Sequence, residues 1–299
     1  MNTQAEKGAR FARSHVEPGI LVLSNAWDAG SAVMMVEAGF QAIATTSSGI
    51  AFSLGLPDGE HIGRDRMLER VAQIAAAVPV PVTADLEAGY GSRPEDVAAT
   101  VRGALDAGAV GCNIEDSAAE GGKSLLDLEL ACERIRAGAE AARGAKLPFV
   151  LNARTDPYLV RHGSEAENFA EAVRRANAYR EAGADCLFVP GTMAAETIGA
   201  LAREIHGPLN VLGARGGAAS VSVLQHLGVK RVSIGGGLCL AALALVRRAA
   251  RELFERGTFG YAQAALSNPE VNALMGRYRS QADTPSATGQ APADGRIRT

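Results

Sequence analysis

The chain has 299 residues, of which 47% are hydrophobic and 21% are charged. Lysine and arginine number 30 and aspartate and glutamate 33, so the formal net charge is −3 and no basic block marks a nucleic-acid or anionic-membrane surface. The four cysteines lack metal-finger spacing, no apolar run approaches the ~18 residues of a transmembrane helix, and residues 1–20 lack the apolar run of a signal peptide. We therefore expect a globular, cytoplasmic protein with reduced thiols and no nucleic-acid or membrane partner.

A repeated local pattern indicates alternating helices and strands. In each of four segments a helical pattern ends at a glycine, namely Gly39, Gly108, Gly183 or Gly228, and an apolar run follows within a few residues. Glycine suits the position after a helix because it has no Cβ to clash in the left-handed conformation. A continuous apolar run is typical of a strand that is buried on both faces. Extending the pattern predicts strands near 20–25, 41–46, 80–85, 110–115, 148–153, 186–190, 209–213 and 231–235, and helices near 29–38, 63–77, 94–107, 127–143, 165–182, 194–205, 217–227 and 238–255.

Eight strand–helix units in about 250 residues fit a (β/α)8 barrel of the TIM type. A doubly wound open sheet is the alternative, and the strict alternation without any hairpin signal favours the barrel. We assign the barrel to residues 1–257, a helical extension to 258–280 and a disordered polar tail to 281–299. The extension carries apolar side chains with no partner in a completed barrel: Phe259, Tyr261, Ala264, Leu266, Val271, Leu274 and Met275.

Acidic side chains end two neighbouring predicted strands. Asp85 and Glu87 end the third strand, and Glu115 ends the fourth. Active sites of barrels form at this edge, so these carboxylates are expected to converge and to repel one another unless a cation is present. Oxygen ligands suit Mg²⁺, which keeps several waters and contacts few carboxylates directly. The alternative is that the acids cap helices or pair with arginines.

Two further features at the same edge are candidates for anion binding. Arg154 ends the fifth strand and could clamp a carboxylate or phosphate, or it could form a structural salt bridge to Glu115 or Asp156. After the second strand, a polar turn could bind an anion through its backbone amides, or could simply be a turn; it comprises Ser47, Ser48 and Gly49.

Several motifs in order resemble the isocitrate lyase/phosphoenolpyruvate mutase superfamily. The resemblance runs from about residue 15 to 255. Its most specific motif is the acid-x-acid-x-Gly-Tyr-Gly run at 85–91, and the others are Ser24-Asn25-Ala26-Trp27-Asp28-Ala29, Gly55-Leu56-Pro57-Asp58, Ile114-Glu115-Asp116 and Ala153-Arg154-Thr155-Asp156.

The resemblance implies a barrel that binds Mg²⁺, or Mn²⁺, together with an α-oxo carboxylate or its enolate. By the motif match, Asp85 would ligate the metal directly, while Glu87 and Glu115 would hold the water molecules around it. Asp58 would lie in the outer metal shell or act on the substrate.

The same match implies a set of substrate contacts. Ser47, Ser48 and Gly49 would bind the carboxylate of the oxo acid. Arg154 would bind the anionic group of the substrate, and Asn210 would supply a further contact. Family members exchange a C-terminal helix between subunits, so we expect a homodimer or homotetramer.

This chain departs from the family pattern in the segment after the fourth strand. The lyases carry a Lys-x-Cys-Gly-His motif there with cysteine as the acid, whereas residues 117–125 read Ser-Ala-Ala-Glu-Gly-Gly-Lys-Ser-Leu. Lys123 is the only cation of that segment and either serves as the missing acid or approaches a substrate carboxylate, or is a solvated surface residue. In addition, Pro190-Gly191 stands where the lyases have Glu and the mutases His, and Glu87 replaces the commoner Asp.

These observations predict an Mg²⁺-dependent carbon–carbon lyase or decarboxylase that acts on a small 2-oxo or 2-hydroxy carboxylate. The departures weigh against isocitrate or methylisocitrate lyase activity. A phosphonopyruvate-type mutase or hydrolase is one alternative, and a non-catalytic oxo-acid-binding protein is the other.

Overall fold

The structure, a computed structural model, describes residues 3–117, 124–192, 194–213 and 219–278. Eight parallel strands pair in chain order, and β8 pairs with β1, which closes the sheet into a barrel. The predicted (β/α)8 architecture is therefore confirmed and the open-sheet alternative is wrong. The strands are β1 (Leu21–Ala26), β2 (Ile43–Thr45), β3 (Val82–Asp85), β4 (Gly111–Glu115), β5 (Val150–Arg154), β6 (Cys186–Phe188), β7 (Leu209–Leu212) and β8 (Arg231–Ser233).

Helices surround the barrel, and several of them begin where the sequence supplies a capping side chain. Asp127 accepts the backbone N–H groups of Glu129 and Leu130, and Ser164 forms a reciprocal cap with Glu167. The helices are α1 (Gln4–Ser14), α2 (Ala29–Glu37), α3 (Ser47–Ser53), α4 (Arg64–Ala77), α5 (Pro94–Asp106), α6 (Leu128–Gly144), α7 (Pro157–Val160), α8 (Glu165–Glu181), α9 (Ala195–Glu204), α10 (Val221–His226), α11 (Gly237–Arg256) and α12 (Asn268–Gly276).

Three of these helices were not predicted: α1, α3 and α7. Helix α1 places Phe11, which is 1% exposed, among Leu23, Val150 and Cys186 at the N-terminal end of the barrel. Residues 47–49 were interpreted as a turn, and this is corrected, since they open α3. The side chain of Thr46 accepts the N–H of Gly49 and so caps that helix.

Helix α11, the last helix of the barrel, leaves most of its apolar side chains in solvent. Within the described residues only Cys239 is buried on it, whereas Val246 is 64% exposed and Phe254 is 92% exposed. An apolar groove of about 480 Å³ adjoins its first turn and is lined by residues that include Trp27 and Leu238. None of the described helices combines the length and the hydrophobicity needed to cross a membrane.

The C-terminal extension is partly paired with its own barrel. Leu274 and Met275 on α12 pack against the core, and Tyr278 Oη donates a hydrogen bond to Glu37 of α2 at 2.8 Å. The expectation that Leu274 and Met275 lack a partner is therefore wrong, because α12 folds back onto α2. Phe259 stays 64% exposed, beside a short 3₁₀ helix at Gly260–Ala264. The tail at 281–299 lies outside the described residues.

Candidate active site at the carboxyl ends of the strands

The structure brings four carboxylates together at the mouth of the barrel. Asp85 and Glu87 are 8% and 5% exposed, and Glu115 is the last residue of β4. Burial and the charges of Asp58 and Asp85 raise the pKa of Glu87 to about 7. Burial also raises the pKa of Asp58, and the charge of Asp85 raises it further. The carboxyls of Asp58 and Glu87 are therefore harder to ionise, because other carboxylates lie close by.

Asp85 is held from one side only. Its Oδ2 accepts hydrogen bonds from the backbone N–H and the hydroxyl of Ser47 at 3.0 and 2.9 Å, and its own N–H donates to Thr45 Oγ1 at 2.8 Å. The other oxygen, Oδ1, is buried and has no hydrogen-bond partner among the described residues. A buried carboxylate oxygen without a donor is costly, so this atom is suited to a cation.

A strained turn positions Glu87. Glu60, Glu87 and Tyr90 all adopt positive φ, at 67°, 51° and 57°, which costs on the order of 1–3 kcal/mol for each non-glycine residue. Their own hydrogen bonds offset this cost. Glu60 N–H donates to Glu87 Oε2 at 2.5 Å, Tyr90 Oη donates to Glu87 Oε1 at 3.0 Å, and Tyr90 N–H donates to Glu60 Oε1 at 2.6 Å.

Two arginines from outside the barrel hold the same turn. Arg134 of α6 donates to the carbonyl of Gly91 at 2.7 Å and to that of Ala88. Arg64 of α4 donates to the carbonyl of Tyr90 at 2.6 Å. These arginines and Glu60 were not predicted from the sequence, in which only the tyrosine of the Gly-Tyr-Gly run offered a signal for this turn.

Arg154 is already engaged on two sides. Its Nη1 contacts Glu115 Oε2 at 2.5 Å, and its Nε and Nη2 donate to Asp156 at 2.7 and 2.9 Å. Phe188 stacks under the guanidinium, 5.7 Å from its ring centroid. Both salt bridges considered from the sequence are thus present. A guanidinium carries five N–H groups, so the described residues leave two for a ligand, and the side chain is 19% exposed.

Residues 47–49 contribute less to an anion cradle than the sequence predicted. The amide of Ser47 serves Asp85, and the amide of Gly49 serves Thr46. A Cβ on Gly49 would lie 2.6 Å from Thr46 and 3.0 Å from Trp27, so this glycine is required by packing. The amide of Ser48 is the one for which the described residues supply no acceptor.

The remaining predicted site residues are Asn210 and Lys123. Asn210 is fully buried in β7, and its side-chain amide faces Ser233 Oγ at 3.5 Å. A substrate would therefore reach Asn210 only through the barrel interior, and its role stays a prediction. Lys123 lies outside the described residues, as does the Gly121-Gly122 pair.

The donor set fits a hard divalent cation that keeps much of its water. Within the described ranges no three His, Cys, Asp or Glu side chains are arranged to hold a metal ion directly. The unpartnered Oδ1 of Asp85 and the raised pKa of Glu87 nevertheless indicate an excess of negative charge. A cation with few protein ligands, as is usual for Mg²⁺, satisfies both observations.

The raised pKa of Glu87 generates a prediction for the metal-free protein. Its carboxyl titrates at about 7 when folded and near 4.5 when unfolded, so the folded state binds more protons between these pH values. The stability contributed by the protonated form is complete below the unfolded pKa and is lost as pH rises through the folded pKa. We expect the free energy of unfolding, measured with urea in a metal chelator, to fall between about pH 5 and about pH 8.

Glu87→Gln should flatten this decline, because glutamine does not titrate. Glu129→Gln changes an exposed glutamate of α6 and should leave the decline as in the wild type. Equal pH slopes for the wild type and Glu87→Gln would contradict the assignment.

Comparison with known proteins agrees with this geometry. The sequence profile of the phosphoenolpyruvate phosphomutase family matches residues 11–254. A crystal structure from Burkholderia cenocepacia J2315, of a protein provisionally named a lyase/mutase, superposes with a TM-score of 0.86 at 43% identity and covers 91% of this chain and 96% of that one.

Two enzymes with assigned activities are also similar. The chain is 34% identical over 188 residues to 2-methylisocitrate lyase of Salmonella typhimurium, which spans 60% of this chain and 61% of that protein. The structure of 2,3-dimethylmalate lyase superposes with a TM-score of 0.81 at 28% identity, covering 92% of this chain and 95% of that one. The resemblance found in the motifs is confirmed, and the chain belongs to the phosphoenolpyruvate phosphomutase family, within the isocitrate lyase/phosphoenolpyruvate mutase superfamily of enzymes.

Proposed function

We propose that the chain is a cytoplasmic, Mg²⁺-dependent carbon–carbon lyase or decarboxylase acting on a small 2-oxo or 2-hydroxy carboxylate. The observation that carries this proposal is the unpartnered Oδ1 of Asp85 within a group of carboxylates at the barrel mouth, with Arg154 on the next strand but one. Family membership supports it, since the similar proteins include lyases of methylisocitrate and dimethylmalate.

Asp85, Glu87 and Glu115 are the residues that would hold the metal. Asp85 would contribute Oδ1, and the other two would hold the surrounding waters. Mg²⁺, or Mn²⁺ in its place, supplies a Lewis acid that polarises the carbonyl of an oxo acid. Tyr90 and Ser117 support this set, since Tyr90 Oη donates to Glu87 and Ser117 Oγ donates to Glu115 Oε1 at 2.9 Å.

Arg154 would bind the anionic group of the substrate through its two free N–H groups. Glu115 and Asp156 fix the plane of the guanidinium, so little side-chain entropy is lost on binding. The amide of Ser48, with Ser47 and Gly49 beside it, would contact the carboxylate of the oxo acid. Asn210 would supply a further substrate contact from the barrel interior.

Two groups are assigned to proton transfer. Asp58 lies at the edge of the mouth, where part of the residue is exposed while its carboxyl is partly desolvated beside Asp85. Its raised pKa favours a carboxyl that holds a proton more readily than an ordinary aspartate. Lys123 would approach from the segment after β4 and take the place of the family's cysteine.

Two other functions are separated from this one by a single experiment. A phosphonopyruvate-type mutase or hydrolase would act on a P–C bond, and an oxo-acid-binding protein would show no turnover. We propose an NMR assay with Mg²⁺ and four compounds: oxaloacetate, methylisocitrate, dimethylmalate and phosphonopyruvate. Product from any of the first three supports a lyase or decarboxylase, product from phosphonopyruvate alone supports the first alternative, and binding without product supports the second.

The metal assignment makes a prediction that does not depend on turnover. Oxalate with Mg²⁺ should raise the thermal unfolding temperature of the wild type, since a ligand at a hundredfold excess over Kd stabilises by about 2.7 kcal/mol. Asp85→Ala should abolish this shift, because it removes the direct ligand. Asp106→Ala, which changes an exposed residue at the end of α5, should retain it. A wild-type shift in Asp85→Ala would refute the assignment.

A second prediction concerns Lys123. If it is the acid or a substrate contact, Lys123→Ala should lower kcat/KM roughly tenfold or more, which is ~1.4 kcal/mol of transition-state stabilisation. Lys146→Ala alters an exposed lysine just after α6 and serves as the control. A change below about twofold would assign Lys123 to the solvated surface.

We also propose that the chain is a homodimer or homotetramer. The exposed apolar face of α11 and the apolar groove at its first turn support this proposal. A second copy of the chain is the partner that would cover both, because burying large apolar side chains stabilises the assembled form.

Light scattering at micromolar concentration measures the assembly directly. We expect Phe254→Glu to shift the protein toward the monomer, because a charge would enter the apolar interface. Val16→Glu changes another exposed apolar residue, 78% exposed, and should leave the mass unaltered. A monomeric wild type would overturn this proposal.

A further inference from the structure

A buried carboxylate behind the site joins three elements of the barrel. Asp116, directly after β4, is 2% exposed. Its Oδ2 accepts hydrogen bonds from Thr155 Oγ1 and Tyr179 Oη, both at 2.6 Å, and from Arg175 Nη1 at 3.3 Å. Its Oδ1 accepts the backbone N–H of Asp156 at 3.0 Å. One side chain thereby connects the end of β4, the end of β5 and helix α8.

The connection continues to the guanidinium of Arg154. Asp156, whose backbone Asp116 holds, directs its own carboxylate at Arg154 Nε and Nη2. The other side of the guanidinium rests on Glu115, the residue before Asp116. Asp116 therefore fixes the backbone beside both partners of Arg154: it follows Glu115 in the chain, and it accepts the N–H of Asp156.

Helix α8 fixes that carboxylate in turn. Tyr179 is fully buried, and Arg175 is 5% exposed. Arg175 Nε contacts Glu171 Oε1 at 2.5 Å, its Nη1 donates to Tyr179 Oη at 3.2 Å, and its Nη2 donates to the carbonyl of Leu126 at 2.8 Å. Such a fully paired network is rigid, because moving one member leaves others buried without partners.

We propose that Asp116, Tyr179 and Arg175 are positioning residues that hold Arg154 in the orientation needed for the substrate's anionic group. The statement that Arg154 is held in order to bind a substrate anion rests on the proposed function. The statement that the network holds Arg154 does not. A purely structural network would attach α8 to the barrel without controlling Arg154.

The first experiment follows Arg154 without any substrate. In protein labelled with ¹⁵N-arginine, its Nε–H signal is identified by its absence in Arg154→Lys, and the exchange rate of that hydrogen with solvent is measured by NMR. Tyr179→Phe, which removes only the hydroxyl, and Asp116→Asn should each speed exchange roughly tenfold, equivalent to ~1.4 kcal/mol and in the range of one buried hydrogen bond.

A matched control tests whether the loss of any carboxylate that holds a strand backbone has this effect. Asp185 Oδ2 accepts the backbone N–H of Leu151 at 2.8 Å, near the opposite end of β5. Asp185→Asn should therefore leave Arg154 exchange as in the wild type. Unchanged exchange in a folded Tyr179→Phe protein, or equal acceleration in Asp185→Asn, would overturn the proposal.

A second experiment uses whichever panel compound the wild type turns over. Tyr179→Phe should lower kcat/KM in the wild-type background and have no further effect in Arg154→Lys, since a residue that acts through Arg154 has nothing left to position. Additive losses would overturn the proposal. A wild type without turnover would instead count against the proposed function, and the exchange measurement would still decide the role of the network.

Discussion

Repulsion among buried carboxylates is the constraint on which the mouth of the barrel depends. Closure of the parallel barrel places the ends of β3 and β4 side by side. Asp85 pairs in register with Asn113, two residues before Glu115 at the end of β4. Burial raises the pKa of Glu115, while the charge of Arg154 opposes that rise. Loss of a partner from such a buried pair typically costs about 3–5 kcal/mol, so the acids and the arginine are stable only as a set.

The energy needed to hold this set comes from the helices around the barrel. Arg64 of α4 and Arg134 of α6 reach backbone carbonyls of the strained turn after β3. Arg175 of α8 reaches the carboxylate and carbonyl groups behind Arg154. Hydrogen bonds from charged groups are among the stronger ones, at roughly 1.5–3 kcal/mol each, which is enough to offset backbone strain of similar size. Each long guanidinium thus links the outer layer to the site.

Helix α11, unlike the helices that support the site, packs little against the barrel. Most of its apolar side chains are exposed although it follows the last strand. Cys239 near its start is buried against the carbonyl of Gly49, and the remainder leaves the barrel. The chain returns through α12 to α2, where Arg277 pairs with Glu37. The energetic consequence is a large apolar surface that the described part of the chain does not bury.

The sequence by itself determined the order of the elements, because that order follows from local rules. Glycine after four of the helices and continuous apolar runs predicted the eight strands to within a few residues, and strict alternation favoured a closed barrel over an open sheet. The acids at the strand ends could be read in the same way, since Asp85, Glu87 and Glu115 each follow directly from a strand boundary.

Only the tertiary structure decided which partners those side chains have. The positive φ of Glu60 and Tyr90, the double engagement of Arg154 and the network around Asp116 join residues far apart in the chain. The same holds for α1 and α3, because Phe11 is buried by strands distant in sequence and α3, with seven residues, is too short to leave a periodic pattern. Periodicity reports which face of an element is buried, whereas a hydrogen bond depends on distances and angles that arise only when the barrel closes.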